Sequence, residues 1–462
     1  RRIAYEYDEL GRLVYKKEIH DTSETVLVHR EYDQATLGMG RLYRTSSPGS
    51  IIVSNSYDAM GRTKEKQTTL DGLNNIQFES FHYDLAGRLT KHVQPNGNSV
   101  DYSYDVSNSI ERVESKGIWA TFHDYDGRNK VQRKESAAGV TTTFEYNADG
   151  RLKDISSFSA RQYGPFRWLK ELQHYTYNFD TRGNVLNITD ARNVRSRNNV
   201  NTDDSWNYVY DDLNRLTSAT SAQNKTYTYA YDAQGNIVKR KGMTIKYEPR
   251  RITATSVGSS IGIPLNFSFN MFGNSSSRSR SSSRSNRALR PSVKTEYVAE
   301  FDAVGNMVRK TSGATLWEYT YDADNRMRSV YKNGGLVADF LYGAGERRLR
   351  KRTYQDGEIV TTFYVNPQFE LRHTSLAPSE FATTEHINVP GHGRLATRTS
   401  YRLLGALSQW WTKRHANYSM QGDTQRGVPA GITYILGNHL GSASVALDER
   451  GNELSRYRYL PY

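Results

Sequence analysis

A tyrosine-aspartate signature returns along the whole chain at a near-constant interval, and an interval of this size admits few folds. From Asp84 through Asp105 and Asp126 to Asn147 the step is 21 residues each time; it is 21 from Asp211 to Asp232 and 20 from Asp302 to Asp322. The fullest copies read Tyr7-Asp8 with Gly11-Arg12, Tyr57-Asp58 with Gly61-Arg62, and Tyr83-Asp84 with Gly87-Arg88. Others are Tyr102 and Tyr104-Asp105, Tyr125-Asp126 with Gly127-Arg128, and Tyr146-Asn147 with Gly150-Arg151. Further on come Tyr210-Asp211 with Asn214-Arg215, Tyr231-Asp232 with Gly235, Phe301-Asp302 with Gly305, and Tyr321-Asp322 with Asn325-Arg326. A fixed period of this length means one supersecondary unit stacked on copies of itself.

The residues of one unit say what it is. Asp84 is suited to accept backbone N–H groups two residues on, and Gly87 takes positive φ without a Cβ clash, so Asp84–Gly87 reads as a tight turn. Asn stands in for that glycine at Asn108, Asn214 and Asn325, and tolerates the left-handed region next best. Arg88 to Val93 alternates apolar and polar as a strand does, Pro95-Asn96-Gly97-Asn98 is a second turn, and Ser99 to Tyr104 returns as a strand. Tyr102 and Tyr104 share a face by the period of two. Each repeat is therefore two strands of about six residues, and the array is an all-β strip of antiparallel hairpins. A β-propeller is the alternative architecture, since two repeats make a four-stranded blade; the uneven spacings elsewhere speak against it, because blades must close evenly.

Composition narrows the setting of this strip. The chain has 33 Tyr, yet only 36% of its 462 residues are hydrophobic. A sheet this rich in amphipathic side chains is expected to be wetted on both faces, like the wall of a hollow object. Its tyrosines pack across strands with arginines stacked or paired beside them; exposed aromatics stacking on sugars are the other reading. The net charge is +13, and Arg278, Arg280, Arg284, Arg287, Arg290 and Lys294 contribute six cations with no acid among them. That segment has no base-reading motif, so no specific nucleic-acid partner is expected. With no cysteine, disulfides and thiolate metal sites are excluded. Four segments are expected: repeats over 1–252, a disordered Ser/Arg-rich insertion over 253–296, hairpins over 297–376, and a closing region over 377–462. Gln162 to Leu172 reads as a loop, and Ala406 to His415 as irregular or helical. The chain opens at Arg1 inside a repeat, so a piece of a longer protein is expected.

The most specific segment comes last: Asn438-His439-Leu440-Gly441-Ser442, then Asp448 with Gly451, then Tyr459 with Pro461-Tyr462. Together with the repeats it resembles the rearrangement-hotspot (Rhs) and YD-repeat family, and at this motif the C components of bacterial insecticidal toxin complexes. Family members often carry Asp where this chain has Asn438. The resemblance implies a hollow β-shell that encloses a C-terminal toxin until delivery, completed by a preceding shell segment or partner shell protein. It also implies export, to a secreted or cell-surface location. In many members a junction after the closing motif cleaves itself; it would lie beyond Tyr462.

Other constellations are weaker. Glu385, His386 and His392 sit around Pro390 and two glycines, which reads as a loop with no metal-binding spacing. His439 has no nucleophile set around it and reads as a packed structural residue. No phosphate-cradling or dinucleotide fingerprint is present. No catalytic residue, cofactor or metal is expected; unpaired strand edges should favour self-association. A surface adhesion or carbohydrate-binding repeat protein is the competing function.

Overall fold

The computed structural model describes residues 2–20, 23–47, 51–70, 77–163, 166–192, 203–257, 293–343, 347–375, 377–403, 431–438, 440 and 442–457. It is all-β: 35 strands, each antiparallel to the next in sequence, form one open sheet without a helix among the described residues. The propeller alternative is thereby set aside. One hairpin follows another because each carries its own turn, so no strand needs a distant partner to find its place.

The period-two alternation sets which side chains share a face. Following register partners from Tyr102 to Val113 and Ala120, then Thr142 to Ser157 and Gln173, traces one face. It continues through Tyr208 to Ala219 and Tyr227, Ala254 to Tyr297, and Trp317 to Lys332 as far as Phe340 and Lys351. Early on this face is covered. Leu70 packs with Phe363, Val365 and Phe369, and Val100, Val113, Ile118, Ala120 and Phe122 pack with Ile387, Val389, Tyr434, Val445 and Leu447. The late residues lie on the opposite face of the strip, since Phe363 follows Thr362, the partner of Lys351. The strip thus curls toward one face, and its late strands nest against its early ones.

Four expectations change. The wall is not wetted on both sides throughout: this seam is dry, because aliphatic side chains are concentrated in these strands. Gln162 to Leu172 is not a loop; strands Leu152–Tyr163 and Phe166–Phe179 run in register from Asp154 opposite Thr176 to Tyr163 opposite Phe166. Alternation there is real, with Ile155, Ser157, Ser159, Gln173, Tyr175 and Tyr177 buried, and the ladder outweighs the turn signals. Glu385 and His386 belong to strand Ala377–Val389, not a loop, and only His392 lies in the turn that follows. In the copy at Asp126 the left-handed residue is Asn129, with φ 61°, and not Gly127. The turn closes over three residues, from Asp126 to Asn129, so the fourth position must take positive φ whatever stands at the second.

The strands flanking residues 258–292 pair with each other, from Arg251 opposite Glu300 to Val257 opposite Val293. Sheet therefore runs into both ends of the segment expected as an insertion. The Arg cluster Arg278–Arg290 and the segment Ala406–His415 lie outside the described residues.

Candidate functional site

Each signature residue has one job in the turn and one toward the next repeat. Asp8 Oδ1 accepts the backbone N–H groups of Leu10 at 3.0 Å and Arg12 at 2.8 Å, and Oδ2 accepts Arg12 Nε at 2.7 Å. Gly11, at φ 74°, donates its N–H to the Asp8 carbonyl at 2.9 Å. Asp58, Asp84, Asp211 and Asp322 are built alike, with Arg62, Arg88, Arg215 and Arg326 on the second oxygen at 2.6–2.8 Å. At Asp232, Asn236 replaces the arginine and donates Nδ2 at 2.9 Å. At Asp105 only the backbone N–H groups of Ser107 and Ser109 remain, both at 2.8 Å. The Arg12 N–H, foremost, holds the Asp8 carboxyl below the usual carboxylate range, and the Arg215 N–H does the same for Asp211.

The tyrosine of the following repeat locks onto this turn. Arg88 lies 4.7 Å over the Tyr104 ring, and the Tyr104 hydroxyl donates to the Leu89 carbonyl at 2.9 Å. Arg62 and Tyr83 repeat the pair at 4.6 Å, with the hydroxyl on the Thr63 carbonyl at 3.0 Å. Arg41 with Tyr57 and Arg215 with Tyr231 follow the same plan, as do Arg12 with Tyr32 at the start and Lys130 with Tyr146 after the Asp126 turn. Behind Gly150, Arg151 lies 5.7 Å over Phe179, which has no hydroxyl to give. Tyr7, on the first described strand, has no such cover and is 60% exposed. Gly61, Gly87, Gly150 and Gly235 all take positive φ. A cation over a ring is worth about 0.5–1 kcal/mol at an exposed site, so the lock is weak singly and strong by repetition. The repeat period alone does not reveal this linkage between adjacent units; the constant place of Tyr one residue before Asp is its only sequence signal.

The seam holds the polar residues that sequence reasoning missed. Glu79, 3% exposed, accepts His92 Nε2 at 3.0 Å and Asn366 Nδ2 at 2.7 Å, while Asn366 also donates to Gln94 Oε1 at 3.1 Å. Glu385, 1% exposed, pairs with Arg398 at 2.9 Å and accepts Asn98 Nδ2 at 2.6 Å; Asn96 reaches it too. Arg398 donates onward to the Ser115 and Lys116 carbonyls at 2.5 and 2.8 Å. Ser444 donates to Gln173 Oε1 at 2.5 Å. No pattern within one repeat reports the bonds that cross the seam, because those partners are more than 270 residues apart.

The candidate metal trio does not assemble. Glu385 and His386 are neighbours on one strand and point to opposite faces. His386 reaches Glu370 at 3.2 Å, whereas the His392 ring stacks on Phe122 at 5.1 Å. Among the described residues no group of three or more His, Asp or Glu is placed to hold a metal ion. In the closing motif, Asn438 and Asp448 head turns of the repeat type. Asn438 Oδ1 accepts the Leu440 and Ser442 N–H groups, both at 3.0 Å, and Asp448 accepts those of Arg450 and Asn452 at 2.9 and 2.7 Å. A Cβ on Gly451 would stand 2.6 Å from the Ala138 carbonyl oxygen, so this turn abuts an early hairpin. His439, Gly441, Tyr459, Pro461 and Tyr462 lie outside the described residues.

Comparison with known proteins agrees with this geometry. The profile of the RHS repeat matches residues 210–242, and that of the Teneurin YD-shell matches residues 3–167. Residues 3–167 and 210–242 thus carry repeats of the Rhs/YD type. It is 25% identical to Teneurin-4 of Homo sapiens over 51% of this chain and 8% of that one. It is 26% identical to toxin subunit YenC2 of Yersinia entomophaga over 42% of this chain and 21% of that one. The TcdB2-TccC3 crystal structure superposes with TM-score 0.69 at 17% identity, over 99% of this chain and 23% of that one. The Tc holotoxin pore of Photorhabdus luminescens gives the same TM-score at 18% identity, over 99% and 22%. The chain thus spans under a quarter of these relatives and structures, and the structural likeness shows the fold. No helix among the described residues is long and apolar enough to cross a membrane.

Proposed function

We propose that this chain is a non-catalytic wall segment of a β-shell that encloses a polypeptide cargo, a toxin, until delivery. The observation that carries the reading is the seam. A strip that merely presented repeats to a surface would have no need to bring Glu79 onto Asn366 and His92 onto Gln368, or to bury Glu385 and Arg398 between early and late strands. Curling toward one face and fastening the ends is what an enclosing wall requires. The Rhs/YD repeats and the likeness to the TcdB2-TccC3 fold support it. In this reading the protein works with a further shell segment and is exported with its cargo.

The test is protease protection. A reporter polypeptide joined after Tyr462 should resist a protease that digests it when free. Arg398→Ala should expose it. A reporter digested at the free rate in the intact protein would refute enclosure, and self-cleavage traced to a residue within 2–457 would refute the absence of chemistry.

A further inference from the structure

Beyond the seam, the buried hydrophobic side chains of the face toward which the strip curls gather in local clusters, and the face is not electrically neutral. Around Tyr227 three cations converge. Lys225 and Lys241 place their ammonium groups 5.2 and 5.4 Å from its ring centre, and Arg240 lies on the same face as the register partner of Tyr229. Arg240 Nε is buried and has no hydrogen-bond partner. Burial, and after it Arg240 and Lys225, holds the Lys241 ammonium below its ordinary range. Like charges crowded together oppose one another unless an anion joins them. Further along, Lys332 stands 5.5 Å over Trp317 and Arg348 5.5 Å over Phe340. Most acids of these strands lie elsewhere: Glu300 and Glu318 flank Arg309 on the opposite face, and Asp339 is the partner of Ser329 there. Glu296 is hydrogen-bonded to Ser256, which shares the cationic face as the register partner of Met243, so its carboxylate offsets part of that charge.

We propose that this concave face, centred on Lys225, Arg240 and Lys241 and continuing to Lys332 and Arg348, binds an acidic, extended polypeptide segment. The face is concave because the strip curls toward it at the seam, and the segment's identity as cargo rests on the enclosure reading above. Cations with rings could also suit a nucleic acid, but here the cations already lie over the rings. A base needs an open ring face to stack on, whereas a carboxylate needs only the outward ammonium and guanidinium groups. The chemistry left accessible is that of point charges.

Titration of a fluorescein-labelled 20-residue polyglutamate with the chain, followed by anisotropy at low salt, tests this. Polyglutamate should bind, and the double change Lys225→Gln with Lys241→Gln should weaken binding about tenfold, as two charge pairs near the upper end of exposed-pair strength allow. Lys239→Gln with Lys246→Gln, which removes equal charge from exposed positions on the other face, should change it less than about twofold. Equal effects of the two double variants would mean general attraction to a basic protein and would overturn the proposal. So would absence of binding, or a 20-nucleotide oligothymidylate binding as tightly as the peptide. The titration needs no enclosed cargo, so it can fail while protease protection succeeds, and the reverse.

Discussion

Between Val100 and Val140 the inner face of the strip is chiefly Val, Ile, Ala and Phe, with Tyr102 among them; between Trp206 and Phe340 the same face carries Tyr, Trp and cations among its aliphatic residues. The first stretch is pressed against the late strands. The second forms only local clusters, such as Tyr227 and Tyr229 with Trp206 and Tyr208, or Phe340 with Trp317 and Tyr319. An extended aliphatic face is kept from water by another layer, whereas a few aliphatic side chains such as Met243, Ile245 and Ala254 are buried within their own local cluster. An aromatic ring under a lysine or arginine carries its own cover, because the alkyl stem shields the ring while the charge stays hydrated. One fold thus holds two solutions to burial, and the local composition tells which applies.

This contrast can be broken in the seam first. Arg398→Ala removes the partner of a buried carboxylate and should cost about 3–5 kcal/mol, read as a lowered denaturation midpoint. Arg309→Ala in the single layer breaks exposed pairs with Glu300 and Glu318 and should cost under about 1 kcal/mol. Comparable losses would erase the distinction between the regions.

Glycines sharpen it next. Gly11 and Gly451 both take positive φ, but a Cβ at Gly11 meets nothing within 4 Å, whereas at Gly451 it meets the Ala138 carbonyl. Gly11→Ala should cost about 1–2 kcal/mol from backbone strain alone. Gly451→Ala should cost clearly more, because a backbone atom must move; thermal melts of the two variants compare them directly.

Tyr104→Phe keeps the ring under Arg88 but strips the Leu89 carbonyl of its donor, for about 1 kcal/mol. The natural Phe179 shows that a repeat survives without that bond. Hydrogen exchange should quicken around residues 88–105 and leave residues 385–398 unchanged.

Acid makes the mildest comparison. Asp8 and Asp211 have folded values below their unfolded ones, so their contribution is full above the unfolded carboxylate value near 4 and is lost as pH falls through the lowered folded values. Between pH 4 and 2 the amides of Leu10, Arg12, Leu213 and Arg215 should lose protection while those of Val113 and Ala120 keep theirs. Simultaneous loss would mean that the turns and the dry seam melt as one unit.

The repeat, its turns and the all-β class are legible in the sequence because each is settled within about twenty residues. Asp84 and Gly87 make a turn whatever lies elsewhere. The shift from Gly127 to Asn129 is also local, and counting three residues from Asp126 would have found it. The seam could not be read so. Glu79 looks like any strand glutamate until Asn366 arrives, and Glu385 beside His386 reads as loop until the pairing with Arg398 and Thr397 places both on one strand. The hairpin 152–179 is hard to read because Gly164-Pro165 is a turn signal in the sequence, whereas the flanking strands pair as far as Tyr163 opposite Phe166.

The fastening of Glu79 to Asn366 has a consequence for how such a chain can change in length. The lock of Tyr104 on Leu89 reaches only to the next repeat, so losing one whole hairpin between residues 206 and 342 would leave every surviving repeat chemically complete. It would nevertheless bring the wrong strand to Glu79. The closure therefore works as a gauge that counts strands, and it fixes a number that no repeat knows. Additions escape the gauge only where they leave the count unchanged, at a hairpin tip. Residues 258–292 stand at such a place, between two strands that remain paired.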